Sequence, residues 1–460
     1  MRPVVRELGV PPSVLRRLAT SLPARYPMLL DSTADGPLSR TSVLLAEPRA
    51  ALWLDADGRL RADGMVIQGN TFFAALENWW LAERDASGEP RGDLPFAGGW
   101  ALFLSYEMAQ EVEAGLSLPR ATLPWRAFAL RTPCALVHDR TRQRVFAVAE
   151  ADSPDALDAL DRLEADARLA AAAPDVSDER FLVESIREED PDAYLERVRR
   201  GKEYVAAGDI YQTNLSRPWH VKLERDPDVA ALYNRLCTAN PAPFAALAQW
   251  RGAAIISSSP ERLVRVEGRR VDTRPIAGTR PRSRRPGDDV AEMAALVEHP
   301  KERAEHIMLI DLERNDLGRV CERGTVQVDE LMTIESYAHV HHIVSNVSGV
   351  LRPDVTPIEA LRAVFPGGTI TGVPKFRCMQ IIAELEGVGR GAYTGSLGYL
   401  DRKGTMDLNI LIRTMTLMGR QIEFRAGAGI VADSEPQREL AETRAKARGL
   451  LAAFEVAHDP

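Results

Sequence analysis

Residues 395–415 read GSLGYLDRKGTMDLNILIRTM. Two β-like runs, 395–400 and 407–415, meet across a turn at Arg402-Lys403-Gly404. Strands joined by so short a loop pair antiparallel, since a parallel pair needs a long crossover. Arg413 stands among apolar neighbours in the second run. An arginine in a core strand needs an anionic partner, which is either a protein carboxylate or a ligand.

The same pattern extends outward. Further β-like runs lie at 41–45, 127–130, 134–137, 145–148 and 253–257, and Gly98-Gly99-Trp100 starts another. Helical periodicity covers 194–207, ended by Gly208, and again 290–313 and 376–385. DIYQTNLSRPW (209–219) reads as a strand, and VHHIVSNVSGVL (340–351) partly alternates. Residues 156–173, rich in alanine and leucine, read as a surface helix that Pro174 breaks. Acids crowd 178–190, so a boundary is expected near 172–190, between an N-terminal region (1–175) and a second region (190–455). The last helix starts at Ser434-Glu435-Pro436, where serine can cap and proline presets φ. Irregular alternation with hairpins predicts an α+β fold with largely antiparallel sheets, not a doubly wound parallel one.

The chain has 460 residues, 45% hydrophobic and 27% charged, which is ordinary globular composition. Its net charge of −8 argues against a nucleic-acid binder. The basic stretch TRPIAGTRPRSRRP (273–286) holds five arginines, but Gly287-Asp288-Asp289 follows at once. Four scattered cysteines without CxxC spacing read as reduced thiols. With no signal-like start and no apolar run near about 18 residues, the expectation is a soluble cytoplasmic protein that does not enter membranes.

Several motifs could carry chemistry. Glu302 and Glu305 in KERAEH are three apart, as are Glu439 and Glu442 in RELAETRAK, with Lys446 four further on. Each pair shares one helix face. Such pairs either join surface ion pairs or hold a hard cation such as Mg²⁺. The turn Ala426-Gly427-Ala428-Gly429 can bring backbone amides to an anion or serve as a plain turn. FPGGTITGVPK (365–375) offers Thr369, Thr371 and Lys375 but is not a phosphate loop of the GxxxxGK[ST] kind. His341 and His342 are adjacent in a strand, so only one should face inward. Glu261, in SSSPERL, follows a strand end as a surface glutamate or a general acid.

In order along the chain, SSSPERL, RPIAGTRPR, KERAEH, DLERNDLGRV, HHIVS, FPGGTITGVPK, GAYTGSLGYL, LNILIRT, AGAGIVADSEP and ELAETRAKA together resemble the chorismate-utilising enzymes. That family includes anthranilate synthase component I, aminodeoxychorismate synthase component I, and isochorismate and salicylate synthases. The resemblance implies two intertwined subdomains of sheet and helix with a cleft between them. It implies Glu305 and Glu442 as Mg²⁺ ligands, with Glu302 and Glu439 acting through water. It implies Lys446 and the Gly427 and Gly429 amides around the ring carboxylate of chorismate, and Tyr393 and Arg413 on the enolpyruvyl carboxylate. Glu261 matches the acid that protonates the departing C4 hydroxyl, His342 the active-site histidine, and Thr369 a threonine near the substrate. Ala277, Gly278 and Thr279 of PIAGT match a wall of the cleft. Ser32 in LLDS, with Pro241 and Phe244 in NPAPF, resembles segments lining a tryptophan pocket.

Gln212, in YQTNLSR, stands where the water-using relatives carry a lysine base. An amide cannot take a proton from water, whereas neutral ammonia is nucleophilic without a base. The resemblance therefore implies ammonia as co-substrate, supplied by a separate glutamine amidotransferase subunit. FPGGT (anthranilate synthases usually show FPAGT) and an N-terminal segment without the RYSFIG-like stretch resemble aminodeoxychorismate synthases. Ala277 departs from them, since many carry a lysine there, and resembles anthranilate synthases instead.

Overall fold

The two runs within 395–415 do not end in one sheet. In the computed structural model, which describes residues 2–34, 36, 38–87, 94–173, 181–282, 285–298, 300–337 and 340–454, Ser396–Asp401 and Met406–Asn409 form the expected antiparallel hairpin. The second run then breaks. Residues 410–413 leave the strand, and Thr414–Met418 joins a different sheet. The expected single strand 407–415 is thus a crossing between sheets, and Arg413 lies on the crossing, outside any strand.

The described residues form two sheets, of twelve and eleven strands, and the strand pairs within them are antiparallel. The first runs in space from Val4–Leu8 through Arg144–Ala149, Cys134–Asp139, Thr41–Ala46, Met28–Asp31, Phe244–Trp250, Ala253–Ser259, Thr414–Met418, Gln421–Ile430 and Gln212–Leu223 to Val183–Glu188. The second runs from Ile276–Pro281 through Val340–Val350, Arg270–Arg274, Arg262–Glu267, Met406–Asn409, Ser396–Asp401, Gly99–Leu104, Trp125–Thr132 and Ala50–Asp55 to Leu60–Asp63. Each sheet takes strands from both sides of residues 172–190, a stretch in which 174–180 lie outside the described residues.

Alternation explains the layers. In CALVHD (134–139), Cys134 and Leu136 face helices, while Ala135 and Val137 face the other sheet. Between the sheets, Phe103 and Phe128 stack at 5.4 Å, with Trp125, Ile255 and Leu397 in the same cluster. Truncating such a ring costs about 3–5 kcal/mol. Helices Val14–Ser21, Ala156–Ala172 and Val229–Ala239 cover the outer face of the first sheet, and Phe72–Glu83 and Pro357–Val364 that of the second. Strands buried on both faces read as near-continuous apolar runs, which is why alternation in the sequence was only partial.

Three further expectations are corrected. The helix expected over 290–313 is two, Pro286–Glu298 and Pro300–Gly318. Proline lacks the N–H that a continuous helix would need at that point. Ser434 does not cap the last helix, Pro436–Leu451, because its Oγ instead accepts from the Val431 amide at 3.1 Å. His341 and His342 are both buried, one on each face of Val340–Val350, since that strand is covered on both sides. The four cysteines are free thiols, as expected. No described helix is long and apolar enough to cross a membrane.

Candidate active site

Two neighbouring chain segments change sheets side by side. Ala253–Ser259 pairs with Thr414–Met418 in the first sheet, while Arg262–Glu267 pairs with Met406–Asn409 in the second. The connecting residues carry Glu261 on one segment and Arg413 on the other. Pro260 cannot donate to a ladder, so the strand stops there and the chain can turn. The Ile410 amide donates to the Glu261 carbonyl at 3.0 Å, tying the two crossings together. Arg413 takes φ 51°, a left-handed conformation costing on the order of 1 kcal/mol in a non-glycine residue. Its carbonyl accepts from the Ser258 amide at 3.1 Å, which holds that conformation.

Glu261 is 3% exposed. Burial pushes its carboxyl up to about 8, against the opposing pull of the Thr369 hydroxyl and the Ile276 amide, which donates at 3.3 Å. At neutral pH it is a protonated acid. Thr369 sits in the short 3₁₀ turn Gly368–Ile370. His342 is pushed down to about 3 by burial, with the Arg413 and Lys446 charges acting in the same direction, so its ring is neutral. The Gly278 backbone hydrogen-bonds that ring. The Arg413 guanidinium has no ion-pair partner among the described residues, and Glu261, the acid whose charge acts on it, is protonated.

His341 has a structural explanation: Nε2 lies 2.9 Å from Asp289 and Nδ1 2.7 Å from Ser336 Oγ. Arg274, in the basic stretch, is buried against Glu335 and Glu330. Residues 283–284 of that stretch, and the side chains of Thr279 and Arg280, lie outside the described residues. Ala277 pairs with Ile343 across the sheet, and Gly278 takes φ 63° with Glu302 pressed against it. A Cβ there would stand 2.9 Å from Glu302 Oε2.

Helix Pro300–Gly318 packs on Ile276–Pro281 and Val340–Val350, bringing half-buried Glu302 beside Gly278, with half-buried Glu305 on the same helix. Helix Pro436–Leu451 packs on Gln421–Ile430. There Lys446 Nζ lies 2.8 Å from Glu442 and donates to the Gly427 carbonyl at 2.9 Å. Gly427 and Gly429 are close-approach positions: a Cβ on the first would meet Tyr393 Oη at 2.7 Å, and on the second Gln212 Nε2 at 2.4 Å. Burial pushes Tyr393 up to about 12, and Arg390 lies over its ring at 5.6 Å, itself paired with Glu386. No three His, Cys, Asp or Glu side chains among the described residues are gathered closely enough to hold a metal by themselves.

Sequence reasoning missed Glu313. It is buried on Pro300–Gly318, accepts from the Gly368 amide at 3.3 Å, and is pushed up to about 7 by burial and the Asp316 charge. Asp316 pairs with the buried Lys375, whose charge pulls Glu313 the other way without overcoming burial. Its letter in DLERNDLGRV gives no sign of this. At the expected tryptophan pocket, buried Ser32 donates to the Thr41 and Pro243 carbonyls at 3.0 and 3.1 Å. Arg262 lies over the half-buried Phe244 ring at 4.9 Å, and Pro241 is half-buried nearby in sequence.

The profile described as chorismate binding enzyme matches residues 31–452. Anthranilate synthase component 1 of Thermus thermophilus is 39% identical over 460 residues, covering 98% of this chain and 96% of that one. Aminodeoxychorismate synthase component 1 of Bacillus subtilis is 37% identical over 405 residues, covering 86% and 85%. The crystal structure of anthranilate synthase component I from Streptococcus pneumoniae superposes with a TM-score of 0.79 at 32% identity, covering 90% of this chain and 93% of that one.

Proposed function

Because the chain belongs to the chorismate-binding enzyme family, we propose that it is component I of an aminodeoxychorismate synthase. It would aminate chorismate at C4, with ammonia from a glutamine amidotransferase subunit, and keep the enolpyruvyl group. The product would feed p-aminobenzoate and folate synthesis.

The loop FPGGT carries this reading. A Cβ on Gly367 would stand 2.7 Å from Ile410 Cδ1, beside the Arg413 crossing. The FPAGT form therefore requires Ile410 to shift, so the glycine and its neighbours go together. In the proposed cycle Arg413 and Tyr393 hold the enolpyruvyl carboxylate. The Gly427 and Gly429 amides and Lys446 meet the ring carboxylate, with Gly278 and Thr279 along the wall. Glu261 gives its proton to the C4 hydroxyl, a poor leaving group that departs as water. Thr369 and neutral His342 orient the acid and the ring. With Ala277 in place of a lysine, ammonia itself adds at C2 as water leaves C4. A second ammonia then adds at C4 and expels the C2 amine, so the sum is chorismate plus ammonia giving 4-amino-4-deoxychorismate plus water.

The donors suit Mg²⁺ in kind: two carboxylates on each of two helices, hard oxygens that need water and substrate oxygens to complete coordination. Glu305 and Glu442 would bind it directly, and Glu302 and Glu439 through water. When bound, the cation would neutralise the ring carboxylate.

Ala277 and the Thermus thermophilus relative favour a second reading, anthranilate synthase component I, which would release pyruvate. The test incubates the purified protein with chorismate, Mg²⁺ and ammonium, with and without a lyase that converts aminodeoxychorismate to p-aminobenzoate. p-Aminobenzoate formed only with the lyase supports the first reading. Anthranilate and pyruvate formed without it establish the second.

A further inference from the structure

Behind Tyr393 lies a cation that the proposed cycle does not use. Arg390 is 3% exposed, and its side chain makes five hydrogen bonds, as many as a guanidinium has N–H groups. Nε donates to Glu386 at 3.1 Å, and Nη2 donates to Glu386 and to the Asn214 carbonyl, each at 2.7 Å. Nη1 donates to the Ile370 carbonyl at 3.1 Å and to Thr394 Oγ1 at 3.4 Å. Arg425 donates to the same Glu386 at 2.9 Å. Burial opposes the charge on that carboxyl, but the two guanidiniums hold it down at about 2. One side chain thus joins the strand Gln212–Leu223, the turn Gly368–Ile370 that carries Thr369, and the end of helix Lys375–Glu386.

A buried ion pair is a weak source of stability, because desolvation offsets most of its attraction, so its presence calls for another cause. Shaping the local backbone is not that cause. Glu107 accepts from the Arg390 and Gly391 amides at 2.8 and 3.1 Å, and the Tyr106 amide donates to the Gly391 carbonyl at 2.9 Å. The turn before Tyr393 is therefore held without the guanidinium. The guanidinium instead lies against two rings, Tyr106 at 4.9 Å and Tyr393 at 5.6 Å, as a cation on aromatic faces. Tyr393 is 6% exposed, and its hydroxyl ends over Gly427, where a Cβ would meet it at 2.7 Å.

We propose that Arg390 is a positioning residue, which fixes the Tyr393 ring so that its hydroxyl meets the enolpyruvyl carboxylate. The inference rests on the substrate assignment proposed above. With all five donors committed, the guanidinium plane cannot turn, and the ring resting on it is set with it. A lysine would keep the charge but has three donors and no plane, so it could not hold the ring in the same way.

The experiment is a double-mutant cycle of Arg390→Lys and Tyr393→Phe, read as KM and kcat for chorismate at saturating ammonium and Mg²⁺. Arg390→Lys alone should raise the KM for chorismate by about tenfold, the worth of one hydrogen bond to the carboxylate. It should leave kcat within about threefold, since the contact is made before and during the reaction alike. With the hydroxyl already removed by Tyr393→Phe, the same change should move the KM by less than about twofold. Costs that multiply across the cycle would mark an arginine serving the fold alone and overturn the proposal. An unchanged KM in folded Arg390→Lys would overturn it as well. Should Arg390→Lys fail to fold, Tyr106→Leu frees the guanidinium from its other ring and carries the same expectation in the same cycle. A wild-type KM in Tyr393→Phe would remove the substrate assignment and the proposal with it, and that outcome is read before Arg390 is changed.

Discussion

The cleft has a dry corner and a wet rim, and they are built on opposite principles. In the corner, Glu261, Glu313 and His342 are buried and each is driven towards its neutral form. At the rim, Lys446 and Glu442 are 43% and 49% exposed and meet as an ion pair. Burial changes what a carboxyl is: the same letter is a protonated acid in one place and half of an exposed ion pair in another. The corner is organised by the protein alone, with its proton held in place before any ligand arrives. The rim keeps its charges in water, where an exposed ion pair is worth little by itself.

The contrast can be broken in order of effect. Glu442→Gln should abolish Mg²⁺-dependent turnover while leaving the melting temperature near wild type, since the side chain is exposed. Retained turnover in steady-state assays would remove the rim from metal binding. Glu261→Gln should lower kcat by about 10²–10⁴-fold, because an amide cannot serve as the acid. The wild-type pH profile gives the matching sign. An acid with its pKa at about 8 is protonated below that pH, so kcat should fall by about tenfold per unit above it, and the variant should lose this limb. Arg413→Met should raise the KM for chorismate by roughly 10- to 150-fold, as expected for losing a charge-assisted contact of about 1.5–3 kcal/mol. A KM within twofold of wild type would place the substrate carboxylate elsewhere.

Glu313→Gln sharpens the picture of the corner. Its charge disfavours charging Glu261, with Asp316 and Lys375 held in a pair beside it. Removing that charge should move the alkaline limb of kcat to lower pH, with less than about tenfold loss at neutral pH. A limb that stays in place would show the two carboxyls to be uncoupled. The smallest effect is salt. Raising ionic strength should weaken chorismate binding a few-fold, through the rim, and leave the alkaline limb where it is, because buried charges are screened much less.

Much of the fold was legible because its signals are local. The hairpin around Arg402-Lys403-Gly404, the alternation in CALVHD and the helix ended by Gly208 each depend on a few adjacent residues. The paired carboxylates at 302/305 and 439/442 were legible for the same reason, since i,i+3 spacing fixes a shared helix face. The sheet change at 410–413 was not. ILIR reads as a continued apolar strand, and only its neighbours, the Glu261 carbonyl and the Ser258 amide, make it a crossing. Glu313 was not legible either, because the Gly368 amide that meets it lies more than fifty residues away in the chain.

The sequence by itself determined several strands and helices, that hairpin partners run antiparallel, and which residue types are available for chemistry. Tertiary structure decided which sheet each strand joins and which carboxyls are dry. Periodicity and turn chemistry act between neighbours in the chain. Desolvation is imposed by whatever the fold brings alongside, and the proton that Glu261 keeps at neutral pH comes from that.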